Sequence, residues 1–224
     1  MKSSTEDPTP LAPSRVEVVY RQLREAIVNG DFAPGAPLRH QDLTETYDVS
    51  LVPIREAIRK LEAERLVESI PNRGARVAPI SAGEVEDVYA TRLILEEEAL
   101  RKAAAHLSED DLAVISSLQR RLAALPRRDK PDFNDLHRRV HFSLYERCNS
   151  PWLLHMIEIL WSHTERHRRL AAHLRTHVEM GDDHHGPIVD AIAEGEIEEA
   201  VLALRTDLQW TSTLLVEAYN HSGT

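Results

Sequence analysis

A chain of 224 residues with 27 Lys+Arg against 37 Asp+Glu carries a formal net charge of −10, and its length favours two domains of unequal size. With 42 % hydrophobic and 29 % charged residues and no apolar run near the roughly 18 residues of a membrane-spanning helix, the expectation is a protein that stays in water. Long periodic segments with only eight glycines, and no Rossmann or P-loop glycine pattern, point to a mainly α chain and away from nucleotide-binding enzymes.

Residues 1–13 hold one lysine, two acids and prolines around no apolar core, which reads as a disordered lead-in and not a secretion signal. A single cysteine, Cys148, excludes an internal disulfide and fits a reducing, cytoplasmic setting with the thiol as a buried structural group. Ser14 is placed to cap a first helix with Val18, Val19, Leu23 and Ile27 inward, closed by Gly30. After the turn-rich GDFAPGAPL, the segment HQDLTETY forms a two-turn helix with Leu43 and Tyr47 inward. Asp48-Val49 makes a tight turn, and Ser50 caps a third helix with Pro53 in its first turn, where a missing N–H has no cost. Ile54, Ala57, Ile58 and Leu61 form the inner stripe of that helix, leaving Arg55 and Arg59 outside and Glu56 free to pair with Lys60. LVESI and ARVAP are short strand-like runs about PNRG, a turn with Arg73 at the tip and Gly74 suited to positive φ. Residues 14–80 thus read as a winged helix-turn-helix.

From Ser81 the chain changes character. Ser81 and Glu84 spell a capping box that opens a long helix to about residue 107. Further helices are expected over about 108–125, 132–148, 151–178, 183–194 and 196–219. Six helices without strands over 81–220 make an all-α antiparallel bundle.

Charge is unevenly divided. Residues 1–80 hold 11 basic against 12 acidic groups, leaving 16 against 25 for the rest, and within 50–80 the balance is 6 to 4 in favour of base. A small positive face survives on an acidic protein. Ser50 and the free N–H groups of the third helix could bind a phosphate, Arg55 and Arg59 could reach a guanine edge or the backbone, and Arg73 could enter the minor groove. Spacing alone leaves this open against a solvated charged helix.

The segment from GDFAPG to RVAPIS resembles the winged helix of the GntR superfamily of bacterial regulators in its PG turn, VS, PxREA and RGxxV. The resemblance implies DNA contacts at Ser50, Pro53, Arg55, Arg59 and the wing pair Arg73-Gly74. Where the family usually has arginine and then threonine after the serine, this chain has Leu51 and Val52, an apolar pair that can touch a thymine methyl but cannot hold a phosphate. Both remain expected contacts.

Of twelve histidines, His137 and His141 stand apart, one helical turn apart on one face, a spacing that lets two imidazoles meet one metal, although surface histidines share it. VYATRLILEEEAL, HFSLYERCNSPWL and HGPIVDAIAEGEIEEAVLALRTDL resemble the helical FCD-type domain of the FadR-like branch. Many members hold a divalent metal there through an aspartate and three histidines. His141 and His185 occupy family histidine places, His137 takes the aspartate place, and Asp207 takes that of the last histidine. The resemblance implies a retained site for Zn²⁺, Ni²⁺, Co²⁺ or Mn²⁺, with His184 as a neighbouring alternative. Arg92 stands where the family has a pocket-facing arginine, able to clamp a small organic acid, although a helix-surface pair with Glu96 is equally compatible with the spacing. Tyr89, Glu96, Trp152 and Trp161 read as packing.

A metal-dependent hydrolase is the alternative, but HRRVH has Arg138 where the zinc-protease HExxH helix has its glutamate base. An architectural DNA-binding protein would leave the bundle without a role. The expectation is a non-enzymatic, ligand-responsive repressor that binds a palindromic double-stranded operator as a homodimer and releases it on binding a small carboxylate near the metal.

Overall fold

A computed structural model describes residues 13–70, 74–125, 130–171 and 184–221. The expected lead-in at 1–13 and the wing tip at Arg73 lie almost wholly or wholly outside them. The chain divides into two compact units, Met1–Pro79 and Ile80–Thr224.

In the first unit α1 spans Arg15–Asn29, capped by the Ser14 hydroxyl, which accepts from the Glu17 N–H, and closed by Gly30 at φ 87°. Val19, Leu23 and Ile27 are buried as the periodicity predicts, whereas Val18 lies at the edge of the stripe and is 39 % exposed. α2 covers His40–Tyr47 and α3 Leu51–Ala63, the turn between them made by Asp48 in the left-handed region at φ 49°. The wing is three-stranded. β2 (Val67–Ile70) pairs antiparallel with β3 (Gly74–Val77), and β3 also pairs with β1 (Pro37–Leu38), a two-residue strand that periodicity cannot signal. Leu23, Ile27, Ile54, Leu61, Leu66 and Val77 fill the core without exposure.

In the second unit α4 (Ala82–Ala104) packs along α7 (Pro151–Ala171) and α9 (Ile197–His221), while α5 (Glu109–Ala124) lies on α6 (Lys130–Tyr145) and α8 (His185–Ala193) on α9. α4 ends three residues before the expected boundary, and a 3-10 turn at Glu146–Cys148 follows α6. The Cys148 thiol is buried. Asn149 at φ 52° then turns the chain into α7, which reaches Ala171; the expected continuation to 178 lies outside the described residues.

The expected Ser81–Glu84 box is half made: the Ser81 hydroxyl accepts from the Glu84 N–H at 3.1 Å, while the Glu84 carboxylate points toward His163 and His167. A complete box opens α5 instead, where the Asp111 carboxylate accepts from the Ser108 N–H and Ser108 Oγ accepts from the Asp111 N–H. Trp152 is 78 % exposed, and its ring contact among the described residues is with His155, against the expectation of a core aromatic.

Arg147 joins the Asp111 box, its Nη2 donating to Oδ1 at 2.8 Å. The Arg147 guanidinium and then the Ser108 backbone N–H hold the Asp111 carboxyl well below its ordinary value of 3.8. A depressed carboxyl contributes stability above its unfolded value and loses it as pH falls. Asp111→Asn should therefore lower the thermal midpoint at neutral pH, and the gap to the parent should close as pH drops below about 4; melting curves across that range check it.

Candidate nucleic-acid interface and metal centre

The first candidate site is the exposed end of α3. Ser50 caps it with extended backbone, φ −71° and ψ 170°, and its hydroxyl makes no bond to the first turn. That leaves the hydroxyl and the first-turn N–H groups together at one surface. Leu51 and Val52 are 45 % and 67 % exposed, unusual for apolar residues with a core so near. Pro53 sits half-buried behind them, and Arg55 and Arg59 are exposed on the outer face. The expected Glu56–Lys60 pair is replaced: Arg59 Nη1 donates to Glu56 at 2.7 Å, and Lys60 reaches across to Glu17 on α1 at 2.9 Å. The 3-residue spacing and the closeness of α1 decide both partners. Arg55 makes no ion pair among the described residues. Gly74 opens β3 at φ 87°, a conformation that glycine adopts without strain.

The second site lies in the bundle, where α6, α8 and α9 bring His137, His141, His185 and Asp207 together. The His141 and His185 Nε2 atoms are 3.0 Å apart. Asp207 Oδ2 is 3.6 Å from His141 Nε2, and Oδ1 is 4.0 Å from His185 Nε2. Ligands about 2.1 Å from a tetrahedral ion stand about 3.4 Å from each other, so these three groups fit a divalent metal with little movement. The tautomer agrees. The Tyr145 hydroxyl donates to Glu96 at 2.7 Å, so its oxygen accepts from His141 Nδ1–H at 3.3 Å, leaving the Nε2 lone pair toward His185. Burial, then the neighbouring His185, holds the His141 pKa well below its ordinary value, keeping the ring neutral as ligation requires.

His137 is different. It is close enough to His141 and His185 to share an ion with them, the ligand atoms of the three rings lying within 4.8 Å of one another, but Arg168 Nη1 donates to His137 Nδ1 at 2.8 Å. A guanidinium only donates, so Nδ1 carries the lone pair there and the neutral ring has its hydrogen on Nε2. His137 therefore becomes a fourth ligand only by exchanging Arg168 for the metal. His184, the neighbouring alternative, lies against Trp210 with centroids 4.6 Å apart and the rings tilted by 48°.

Arg92 pairs with Glu96 at 2.5 Å, as the i,i+4 spacing allows, but both side chains are buried and the pair is not on the helix surface. Its guanidinium lies 4.6 Å from the Trp161 ring centroid and 5.1 Å from that of Tyr89, and its Nη2 is buried without a hydrogen-bond partner among the described residues. Arg92, His137, His141, Trp161, Arg168 and Asp207 line a cleft with room for a guest about the size of one water. Tyr145 and Arg168 escaped the sequence reading: Tyr145 follows His141 at i,i+4 and was legible by spacing, whereas Arg168 comes from another helix.

Residues 15–77 match the family described as "Bacterial regulatory proteins, gntR family", and residues 87–209 match the FCD domain. The chain is 32 % identical over 211 residues to BphR of Paraburkholderia xenovorans (strain LB400), described as an uncharacterized HTH-type transcriptional regulator, covering 90 % of this chain and 86 % of that protein. It is 32 % identical over 154 residues to the HTH-type transcriptional repressor GlaR of Escherichia coli (strain K12), covering 66 % and 70 %. The solved structure of E. coli McbR/YncC superposes with a TM-score of 0.78 over 93 % of this chain and 100 % of that one; at 23 % identity it shows the fold alone.

Tyr145→Phe keeps the ring and removes the oxygen that orients His141. Zn²⁺ affinity, measured by competition with a chromophoric chelator well below the variant's melting midpoint, should fall about 10–100-fold, and the midpoint itself should drop because buried Glu96 and His141 each lose a partner; unchanged affinity would remove Tyr145 from this role.

Proposed function

The chain belongs to the gntR family of bacterial regulatory proteins and carries an FCD domain, and from that membership we propose that it is a ligand-responsive transcriptional repressor that grips an operator with α3 and releases it when a small organic acid enters the helical unit. Its relatives are transcriptional regulators and repressors, not enzymes.

One observation carries the DNA reading: the N-terminal end of α3 exposes together an uncommitted hydroxyl, two apolar side chains and an arginine with no ion pair among the described residues. Ser50 and the first-turn N–H groups suit a phosphate. Leu51 and Val52 suit thymine methyls, and Arg55 suits a guanine edge. Arg59 loses little by exchanging the exposed Glu56 for a phosphate, since such pairs contribute at most about 1 kcal/mol. Arg73 and Gly74 complete the contact set from the wing. Two copies matched to two half-sites make the operator a palindrome.

In the helical unit His141, His185 and Asp207 would hold a Zn²⁺, Ni²⁺, Co²⁺ or Mn²⁺ ion, joined by His137 on release of Arg168. When bound, the metal would supply open positions for a carboxylate oxygen. The buried Arg92 Nη2 offers a donor to the same guest. Because the cleft is so small, an acid larger than water has to move Arg168 or Trp161 aside, and it lowers operator affinity only by preferring that altered arrangement.

The test is selection of genomic fragments at low ionic strength, followed by fluorescence anisotropy on the enriched duplex. Binding that weakens steeply with salt supports the reading, and failure to retain any fragment overturns it. Arg55→Ala should weaken the selected operator by about 1–3 kcal/mol and relax preference at one base pair, whereas Arg59→Ala should weaken all duplexes alike and flatten the salt slope. A panel of small organic acids added to the same complex should include one that releases the parent but not Arg92→Gln.

A further inference from the structure

We propose that Glu84, His163 and His167 form a second divalent transition-metal site in the helical unit, sharing no ligand with the group at His141, His185 and Asp207. His163 and His167 stand at i and i+4 on α7, which lays both rings along one face, and Glu84 enters from the first turn of α4. Glu84 Oε1 is 3.7 Å from His163 Nδ1 and 4.0 Å from His167 Nε2. The three offered atoms lie within 4.8 Å of one another, so a shift of at most about 0.7 Å per side chain brings them to the separation of about 3.4 Å that a tetrahedral ion sets.

Two observations separate this group from an ordinary polar cluster. His167 is fully buried, and neither ring nitrogen has a hydrogen-bond partner among the described residues. A buried imidazole left so is costly, and ligation would satisfy the nitrogen facing Glu84. The Glu84 carboxylate, for its part, occupies the position from which it could bond back to the Ser81 N–H, yet lies against the two histidines.

The donor set is also chemically apt. Two imidazoles and one carboxylate suit borderline ions such as Zn²⁺, Co²⁺, Ni²⁺ and Mn²⁺ and leave positions open. The Glu84 side chain is 27 % exposed, which gives an ion a way in. Arg166, buried on the same helix, sets a positive charge against Glu84; a dication there leaves the site net positive and draws an anion or water to the open positions. Its occupancy fastens the first turn of α4 to α7.

The full-length protein, stripped with chelator and reloaded with Zn²⁺ against a competing chromophoric chelator, tests this by bound equivalents per chain. The parent should bind two, and the double variant His141→Ala/His185→Ala should keep one. Glu84→Gln and His163→Ala should each lose one, and Co²⁺ loading should show a visible spectrum altered by Glu84→Gln. Glu84 is partly exposed, so that variant serves if His163→Ala fails to fold. Zinc uptake unaffected by Glu84→Gln and His163→Ala overturns the second site. One equivalent lost with His141 and His185, and none remaining, overturns it as well. One equivalent that survives His141→Ala/His185→Ala but not Glu84→Gln supports it while removing metal from the first site.

Discussion

The helical unit depends on one buried polar chain. Arg92 bonds Glu96, Glu96 accepts from Tyr145, Tyr145 accepts from His141, and His141 faces His185 and Asp207. It runs through α4, α6, α8 and α9 where apolar side chains would pack more cheaply, because each charge taken out of water costs several kcal/mol; once formed, losing one member of a buried ion pair costs about 3–5 kcal/mol by stranding the other. Such a chain is tolerated when each link orients the next, and here the last link is a lone pair aimed at the cleft. Arg92 is held in one rotamer by Glu96 and two aromatic rings, with its Nη2 left without an acceptor among the described residues.

The fold was legible where apolar spacing is strong. The stripe Ile54, Ala57, Ile58, Leu61 and the caps at Ser14 and Ser81 specify their helices locally, and local physics decided them. β1 was not legible, since two residues have no period and owe their strand to β3. The partners of Glu56, Lys60 and Glu84 were misassigned for a related reason: each pairs with, or lies against, a group other than the one its own i,i+4 or capping rule names, and in two of the three cases that group is on another helix. Trp152 shows the opposite failure, an aromatic assigned inward although its place on α7 faces solvent. For the candidate sites, spacing proposed His137 with His141, while His185, Asp207 and Arg92 came only with the family resemblance. HTERH carries the same i,i+4 spacing at 163 and 167, and only the fold sets Glu84 beside it.

A net charge of −10 is no obstacle to an anionic partner when the charge is placed apart. Most of the acid belongs to residues 81–224, and much of it is tied up in pairs such as Arg205–Glu97 and Arg101–Glu198. The α3 surface keeps its arginines within a nearly neutral unit. With Leu51 and Val52 exposed at its tip, the DNA contact proposed there would draw on shape and methyl groups more than on ionic attraction, so that sequence preference and raw affinity would be set by different side chains.

The tryptophans are divided by environment. Trp152 is bathed in solvent, whereas Trp161 is buried with the Arg92 guanidinium over its face and the His137 and His141 rings 5.4 and 5.0 Å away. Of the three indoles, Trp152 therefore emits toward the red, half-buried Trp210 beside His184 lies between, and Trp161 emits toward the blue, dimmed or brightened by whatever its cationic and imidazole neighbours do. The molecule carries its own optical gauge of events in the bundle, with no dye attached.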